Sequence, residues 1–217
     1  MKTIALIRHA ESLANAGQAT LMPAGIALTE NGRRQAAEFA AGLTDAPQLI
    51  VCSPFERARA TAAFSARRFA RVPVQEWPVE EFTYLAPARF VGTTQAQRKP
   101  QADAYWQRAD ADYIDGPGAE SFTQLMGRAE RMLARLAALE ADRVLVFSHG
   151  QFIRAVSWWL QHGARATEPA LMRGFRAMDS AAPLPNTGGY RLVLEQQAWQ
   201  LSTATSFTNP LPKTDRG

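Results

Sequence analysis

Three histidines occur in this 217-residue chain, and two of them occupy the same kind of place. His9 follows the apolar run Thr3–Ile7 and Arg8, and His149 follows V-L-V-F-S and precedes Gly150. Both runs read as buried strands, and in an open parallel sheet ligands collect outside the carboxyl ends of the strands. Arg57 falls in the first turn of a helix that follows a further strand, Leu49–Cys52, so it reaches the same edge. Arg8 adjoins His9. This collection is wrongly made for a metal and rightly made for a phosphate, because guanidinium groups offer forked donors and helix amides add positive potential. Taken singly, a histidine at a strand end is more often a structural hydrogen-bonder, and an arginine in a first turn is usually solvated. Their joint placement at one sheet edge is what points to chemistry.

The elements that must position these groups are legible from punctuation and periodicity. Thr29 offers an N-cap to a helix through about Leu43, with Ala36, Ala37, Phe39 and Ala40 on its apolar side. Ser53-Pro54-Phe55-Glu56 reads as a helix start with Ser at the N-cap, Pro in the first position and Glu closing a capping box. That helix should run to about Phe69, with Val72–Trp77 as a third strand. From Glu120 to about Glu140, Phe122, Leu125, Met126, Ala129, Met132, Leu133 and Leu136 recur at helical spacing, which means core packing. Arg143–Phe147 is the next strand, Gln151–Leu160 the following helix, and Gly189–Leu194 with Trp199–Thr203 a closing hairpin. Strands alternating with helices predict an α/β fold, a mainly parallel central sheet with helices on both faces. The stretch from about Phe82 to Gly118 lacks clear periodicity and holds Pro87, Pro100, Gly116 and Pro117. It is too long for a simple connection and is expected to be a lid or specificity insertion. The length suits one domain over residues 1–217, with a frayed tail beyond about Thr205.

Several segments together resemble the histidine phosphatase superfamily, also called the phosphoglycerate mutase-like family. I-R-H-A-E-S-L-A-N is similar to its signature in register at Arg8, His9, Ser12 and Asn15, with Ala10 where Gly is usual. L-T-E-N-G-R-R-Q-A (Leu28 to Ala36), S-P-F-E-R-A-R-A-T-A (Ser53 to Ala62), E-S-F (Glu120 to Phe122), F-S-H-G-Q-F-I-R (Phe147 to Arg154) and Pro185-Asn186-Thr187 resemble later blocks in the expected order. The resemblance implies that His9 attacks phosphorus and forms a phosphohistidine, splitting one hard displacement into two easier ones. It implies that Arg8, Arg57 and His149 hold the phosphoryl oxygens, that Asn15 and Ser12 support the phosphate or leaving group, and that neither metal nor other cofactor is needed. The leaving alkoxide takes its proton from a carboxyl group in V-E-E-F-T-Y-L. Aligning Val79 and Tyr84 with that block's apolar positions puts the acid at Glu81, with Glu80 second. The block's usual Gly-x-Trp-x-Gly continuation is replaced by Leu85-Ala86-Pro87, which bears on substrate identity and not on the central chemistry.

Other groups read as structural. Cys52 and Arg57 are separated by four residues where a cysteine phosphatase loop needs five, so Cys52 is a buried strand residue. A single cysteine also excludes an intrachain disulfide and a cysteine metal cluster. His162 and the group Arg67, Arg68 and Arg71 fall near helix ends, where positive charge is favourable, and Arg154 reads as an anchor within its helix. The net charge of +4 comes from scattered arginines, so nucleic acid is not an expected partner. No apolar run is long enough to span a membrane or act as a secretion signal, so the expected location is the cytoplasm, with no membrane partner. The expected function is a phosphatase acting on a small phosphorylated metabolite or a phosphoprotein. A phosphoglycerate mutase-type phosphotransferase and a non-catalytic phosphate-binding protein are the alternatives. The hairpin edge and the pair Trp158-Trp159 are compatible with a homodimer without requiring one.

Overall fold

The computed structural model describes residues 1–204; the frayed tail expected beyond Thr205 lies outside them. Its centre is a six-stranded sheet in the order β3-β2-β4-β1-β5-β6. β1 (Lys2–Arg8), β2 (Leu49–Cys52), β3 (Val74–Glu76) and β4 (Arg143–Ser148) run parallel, and β5 (Gly189–Glu195) with β6 (Ala198–Ala204) adds an antiparallel hairpin beside β1. The central strands are short apolar runs because both of their faces are covered. Alternate residues go to opposite faces. Ile4, Leu6, Leu49, Val51, Val144 and Val146 join one core, while Ile7, Ile50, Cys52, Leu145 and Phe147 join the other. α1 (Glu30–Gly42) and α2 (Glu56–Arg68) cover the second face through Phe39 and Ala62. α4 (Phe122–Ala138) and α5 (Gly150–His162) cover the first. No described helix is long and apolar enough to cross a membrane.

The structure departs from the sequence reading in four places. The third strand is shorter than Val72–Trp77, confined to three exposed residues at the sheet edge. α2 begins at Glu56 with Phe55 as its N-cap and no side-chain cap. Ser53 lies two residues ahead of that cap; its hydroxyl oxygen accepts from the Phe55 amide (3.2 Å) and also meets His149 Nε2. The stretch from Phe82 to Gly118 is not irregular throughout. It contains α3 (Gln95–Arg108), started by a capping box between Thr94 and Gln97. Pro100 forfeits one helical hydrogen bond, and only Ala102, Tyr105 and Trp106 are buried, so the apolar stripe was too thin to register. α6 (Pro169–Ala181) is a further element beyond those expected; it buries only Met172 and Phe175. Trp106 stacks on Phe175 at 5.8 Å, and Phe82, Tyr84, Tyr105 and Phe122 complete an aromatic cluster. The insertion is thereby fastened to the core at one end by contacts worth about 0.5–1.5 kcal/mol per aromatic pair.

Candidate active site

Strand register explains why the two histidines meet. Arg8 lies opposite Ser148 in the parallel β1–β4 pair, so the next residues, His9 and His149, leave the sheet side by side. The His9 amide still donates to the Ser148 carbonyl (2.9 Å), and the two rings lie 5.1 Å apart. β2 ends one strand away, and its successor Ser53 places Oγ 2.8 Å from His149 Nε2. Phe55 packs edge-on against the His149 ring. α2 then brings Arg57 back over the sheet edge, where its Nε donates to His9 Nε2 (3.0 Å) and its Nη1 to the Pro23 carbonyl (2.7 Å). Thr61, one turn along α2, accepts from the Ala10 amide (3.0 Å) and donates to the Arg57 carbonyl, fixing the loop after His9 to that helix. Ala10, standing where Gly is usual, is fully buried against Leu28 and Ala36.

The other His9 nitrogen decides its tautomer. Nδ1 lies 2.7 Å from the carbonyl oxygen of Ala10, which can only accept, so Nδ1 carries the proton and Nε2 keeps a lone pair. Burial, and then the positive charge of Arg57, push the His9 pKa well below its ordinary value. The ring is therefore neutral at neutral pH. His149 is pushed the same way for the same reasons, and its Nδ1 is buried with no protein partner among the described residues. Arg8 donates Nη1 to the Leu184 carbonyl and leaves Nε buried and unpartnered. Burial lowers the Arg57 pKa to about 10, which still leaves it charged at neutral pH.

Glu81 arrives from the opposite side. The chain leaving β3 is tied down where Ser148 Oγ donates to the Val79 carbonyl (2.6 Å). Two residues on, Glu81 Oε1 accepts from the amides of Phe82 (3.1 Å), Gln151 (3.1 Å) and Phe152 (3.3 Å) at the start of α5. The residue as a whole is only half-buried, but its carboxyl head is turned inward. Burial raises its pKa against the opposing charges of Arg57 and Arg8 and the Phe82 amide, and Asp179 adds to the rise. Glu80 points elsewhere, to Arg128 (3.3 Å). Ser12 and Asn15 do not reach the site alike. Ser12 is buried and donates both its amide and its hydroxyl to Asn15 Oδ1, while Asn15 is exposed and its Nδ2 has no partner among the described residues.

Four residues beside these went unassigned a site role in the sequence. Ser53 stands in a pattern that signals a helix cap, and its contact with His149 adds a site role. Asn186 lies in a motif block of its own and donates Nδ2 to the His9 carbonyl (2.9 Å). It is aimed by Thr187, which holds φ +60° while its amide donates to the Arg8 carbonyl (3.0 Å). That left-handed backbone costs a β-branched residue about 1–3 kcal/mol and marks an imposed geometry. Thr61 is the tie between α2 and the loop after His9. Asp179, on the unforeseen α6, accepts from Gln151 Nε2 (2.9 Å) and pairs with buried Arg154 Nε (3.4 Å). No local pattern announces that contact.

Two buried histidines, two arginines and an inward carboxyl thus surround one point at the carboxyl edge of the sheet. Residues 4–203 match the histidine phosphatase superfamily (branch 1). The chain belongs to that superfamily. Among solved structures, this histidine phosphatase is similar to a mycobacterial glucosyl-3-phosphoglycerate phosphatase solved with VO3, at 28% identity and a TM-score of 0.71, covering 95% of this chain and 100% of that one. It is also similar in fold to the alpha-ribazole phosphatase of Shigella flexneri (23% identity, TM-score 0.71, 94% and 96% covered). A third likeness of fold is to the phosphoserine phosphatase of Entamoeba histolytica solved with 3-phosphoglyceric acid (21%, TM-score 0.70, 96% and 99%). A search of curated protein sequences found no match. The superfamily and these neighbours are phosphatases, and the six-stranded, mostly parallel sheet with helices around it is the fold they share.

Proposed function

We propose that this histidine phosphatase hydrolyses a phosphomonoester, of a small metabolite or of a phosphorylated protein side chain, through a phosphohistidine on His9 and without a metal. The observation that carries the reading is the state of His9. Its Nδ1 proton is committed to the Ala10 carbonyl, and its Nε2 lone pair faces the Arg57 guanidinium that a phosphoryl group would bind. Nε2 attacks phosphorus; the ester P–O bond breaks and its electron pair stays on the leaving oxygen. The Glu81 carboxyl gives that oxygen its proton. Glu81, now a carboxylate, takes a proton from water as the water oxygen attacks the phosphohistidine. The N–P bond breaks, Nε2 recovers its lone pair, and phosphate leaves. Arg8, Arg57, His149 and Asn15 Nδ2 stabilise the charge on the phosphoryl oxygens throughout, the electrostatic contribution that a metal would otherwise make. Ser12 acts by orienting Asn15.

Hydrolysis of p-nitrophenyl phosphate in excess EDTA, by the native protein and by His9→Ala, tests the reading. Turnover is expected to survive the chelator and to vanish in the variant. Turnover that persists in His9→Ala, or that EDTA removes, overturns it.

A further inference from the structure

Six large apolar residues are exposed among the described residues: Met1, Leu21, Met22, Val74, Val91 and Ile114. Singly exposed aliphatic groups are ordinary. Leu21, Met22 and Val91, however, lie on two segments bonded to each other, where the Thr20 amide donates to the Thr93 carbonyl (3.1 Å) and the Gly92 amide to the Thr20 carbonyl (2.9 Å). Half-buried Phe90 belongs to the same strip. The strip is held in place by the short turn Pro23–Gly25 and by Arg98, which donates Nη1 to the Thr93 carbonyl (2.9 Å). Its relation to the chemistry is direct. Arg57 Nη1 donates to the Pro23 carbonyl, next in sequence to Met22, while Nε of the same guanidinium donates to His9 Nε2. One guanidinium therefore separates the nucleophile from the strip.

Resting on the phosphatase reading, we propose that Leu21, Met22, Phe90 and Val91 form an apolar lip that binds the alcohol part of the substrate. The enzyme then selects phosphomonoesters whose leaving group carries an aliphatic or aromatic chain over those of polyhydroxy or carboxylate-bearing alcohols. A polar alcohol gains nothing from such a surface, whereas an apolar one removes its own surface and that of the lip from water.

The n-alkyl phosphates from ethyl to hexyl test this, because their alcohols are nearly equal in basicity and make the same demand on the proton donor. A chain half covered by the lip gains about twofold per methylene, against about fourfold for one fully buried. The expected hexyl-to-ethyl ratio of kcat/KM is on the order of ten, expressed in KM. In the double variant Leu21→Ser, Val91→Ser that ratio is expected to fall towards one. The ratio of Kd values for ethylphosphonate and hexylphosphonate, which are not hydrolysed, gives the same comparison by calorimetry. A ratio near one in the native protein overturns the lip and leaves those side chains to a protein partner or a second copy. A high ratio that survives the double variant overturns it too. Absent turnover with selective phosphonate binding keeps the lip and refutes the phosphatase reading instead.

Discussion

Glu81→Gln separates proton donation from everything else that Glu81 does. All three amide donations to its carboxyl converge on Oε1, from Phe82, Gln151 and Phe152, and Oε2 takes no part in them. In the proposed mechanism Oε2 is therefore the atom that carries the acidic proton. Glutamine keeps an acceptor at Oε1 and puts an amide nitrogen in place of Oε2, so the side chain stays held but has no proton to give. General acid catalysis contributes about 10²–10⁴ in rate, which is about 3–5 kcal/mol of barrier. An alkyl phosphate should lose nearly all of that, because its alkoxide is about as basic as hydroxide, whose parent acid has a pKa of about 15.7. p-Nitrophenyl phosphate, with a stable leaving anion, should lose less than about tenfold. Steady-state kcat/KM for both substrates, native and variant, gives the ratio directly. The pH profile adds a second readout. Burial raises the Glu81 pKa, so the native rate falls on the alkaline side as that carboxyl ionises, and the variant should lose this limb. Equal losses on the two substrates, with the alkaline limb intact, refute Glu81 as the acid.

The remaining expectations concern the arginine, the acid's neighbour and a close packing contact. Arg57→Ala should lower kcat/KM by about 10²–10³, as for removal of one oxyanion donor. It should also move the acid limb of the pH profile to higher pH, since the Arg57 charge depresses His9; an unmoved limb counts against the contact. Asp179→Asn removes a negative charge that helps raise the Glu81 pKa, so the alkaline limb should move to lower pH while KM is held; a change in KM alone would make Asp179 merely structural. Gly32→Ala would put a methyl carbon 2.0 Å from the Glu11 carbonyl oxygen, to which the Thr29 amide donates at 3.0 Å. Overpacking of about 1–3 kcal/mol is expected, a fall in Tm of about 2–4 °C per kcal/mol, and an unchanged melt would show that α1 can shift freely.

What could be foreseen followed from how local its causes are. The strands ending in His9 and His149 announce themselves, because sheet-buried runs are apolar throughout, and their parallel register brings the two rings together. α4 was legible since seven of its residues are buried on one stripe. α3 was not, because Pro100 reads as a breaker and its buried side chains are few. Glu81 stood on resemblance alone, as nothing local in V-E-E-F distinguishes it from Glu80. Only the amides at the start of α5, seventy residues away in sequence, separate the inward carboxyl from the one paired with Arg128. Ser53 shows the opposite failure. Its Ser-Pro pattern is a sound helix signal, but the helix starts two residues later, and the contact of the hydroxyl with His149, distant in sequence, has no local pattern to announce it.

One physical cause, burial, prepares both reacting groups of the proposed mechanism. An ordinary glutamate, near pKa 4.3, and an ordinary histidine, near about 6.5, would be ionised and protonated together between those values. That is the wrong state of both. Enclosure disfavours whichever form is charged, so it raises Glu81 and lowers His9 and brings the neutral acid and the neutral nucleophile towards the same pH range. Arg8 and Arg57 add to the depression of His9 and oppose the rise of Glu81, and for the carboxyl burial is the larger effect. The arrangement has a cost of definite sign. For His9 and His149, with folded pKa values below the unfolded one, stability is lost as pH falls through the unfolded value near 6.5, because the unfolded chain then takes up protons that the folded chain refuses. The arginines keep their charge across this range, so the positive field that a phosphoryl group meets is carried by groups that do not titrate, and the proton chemistry is left to the two that do.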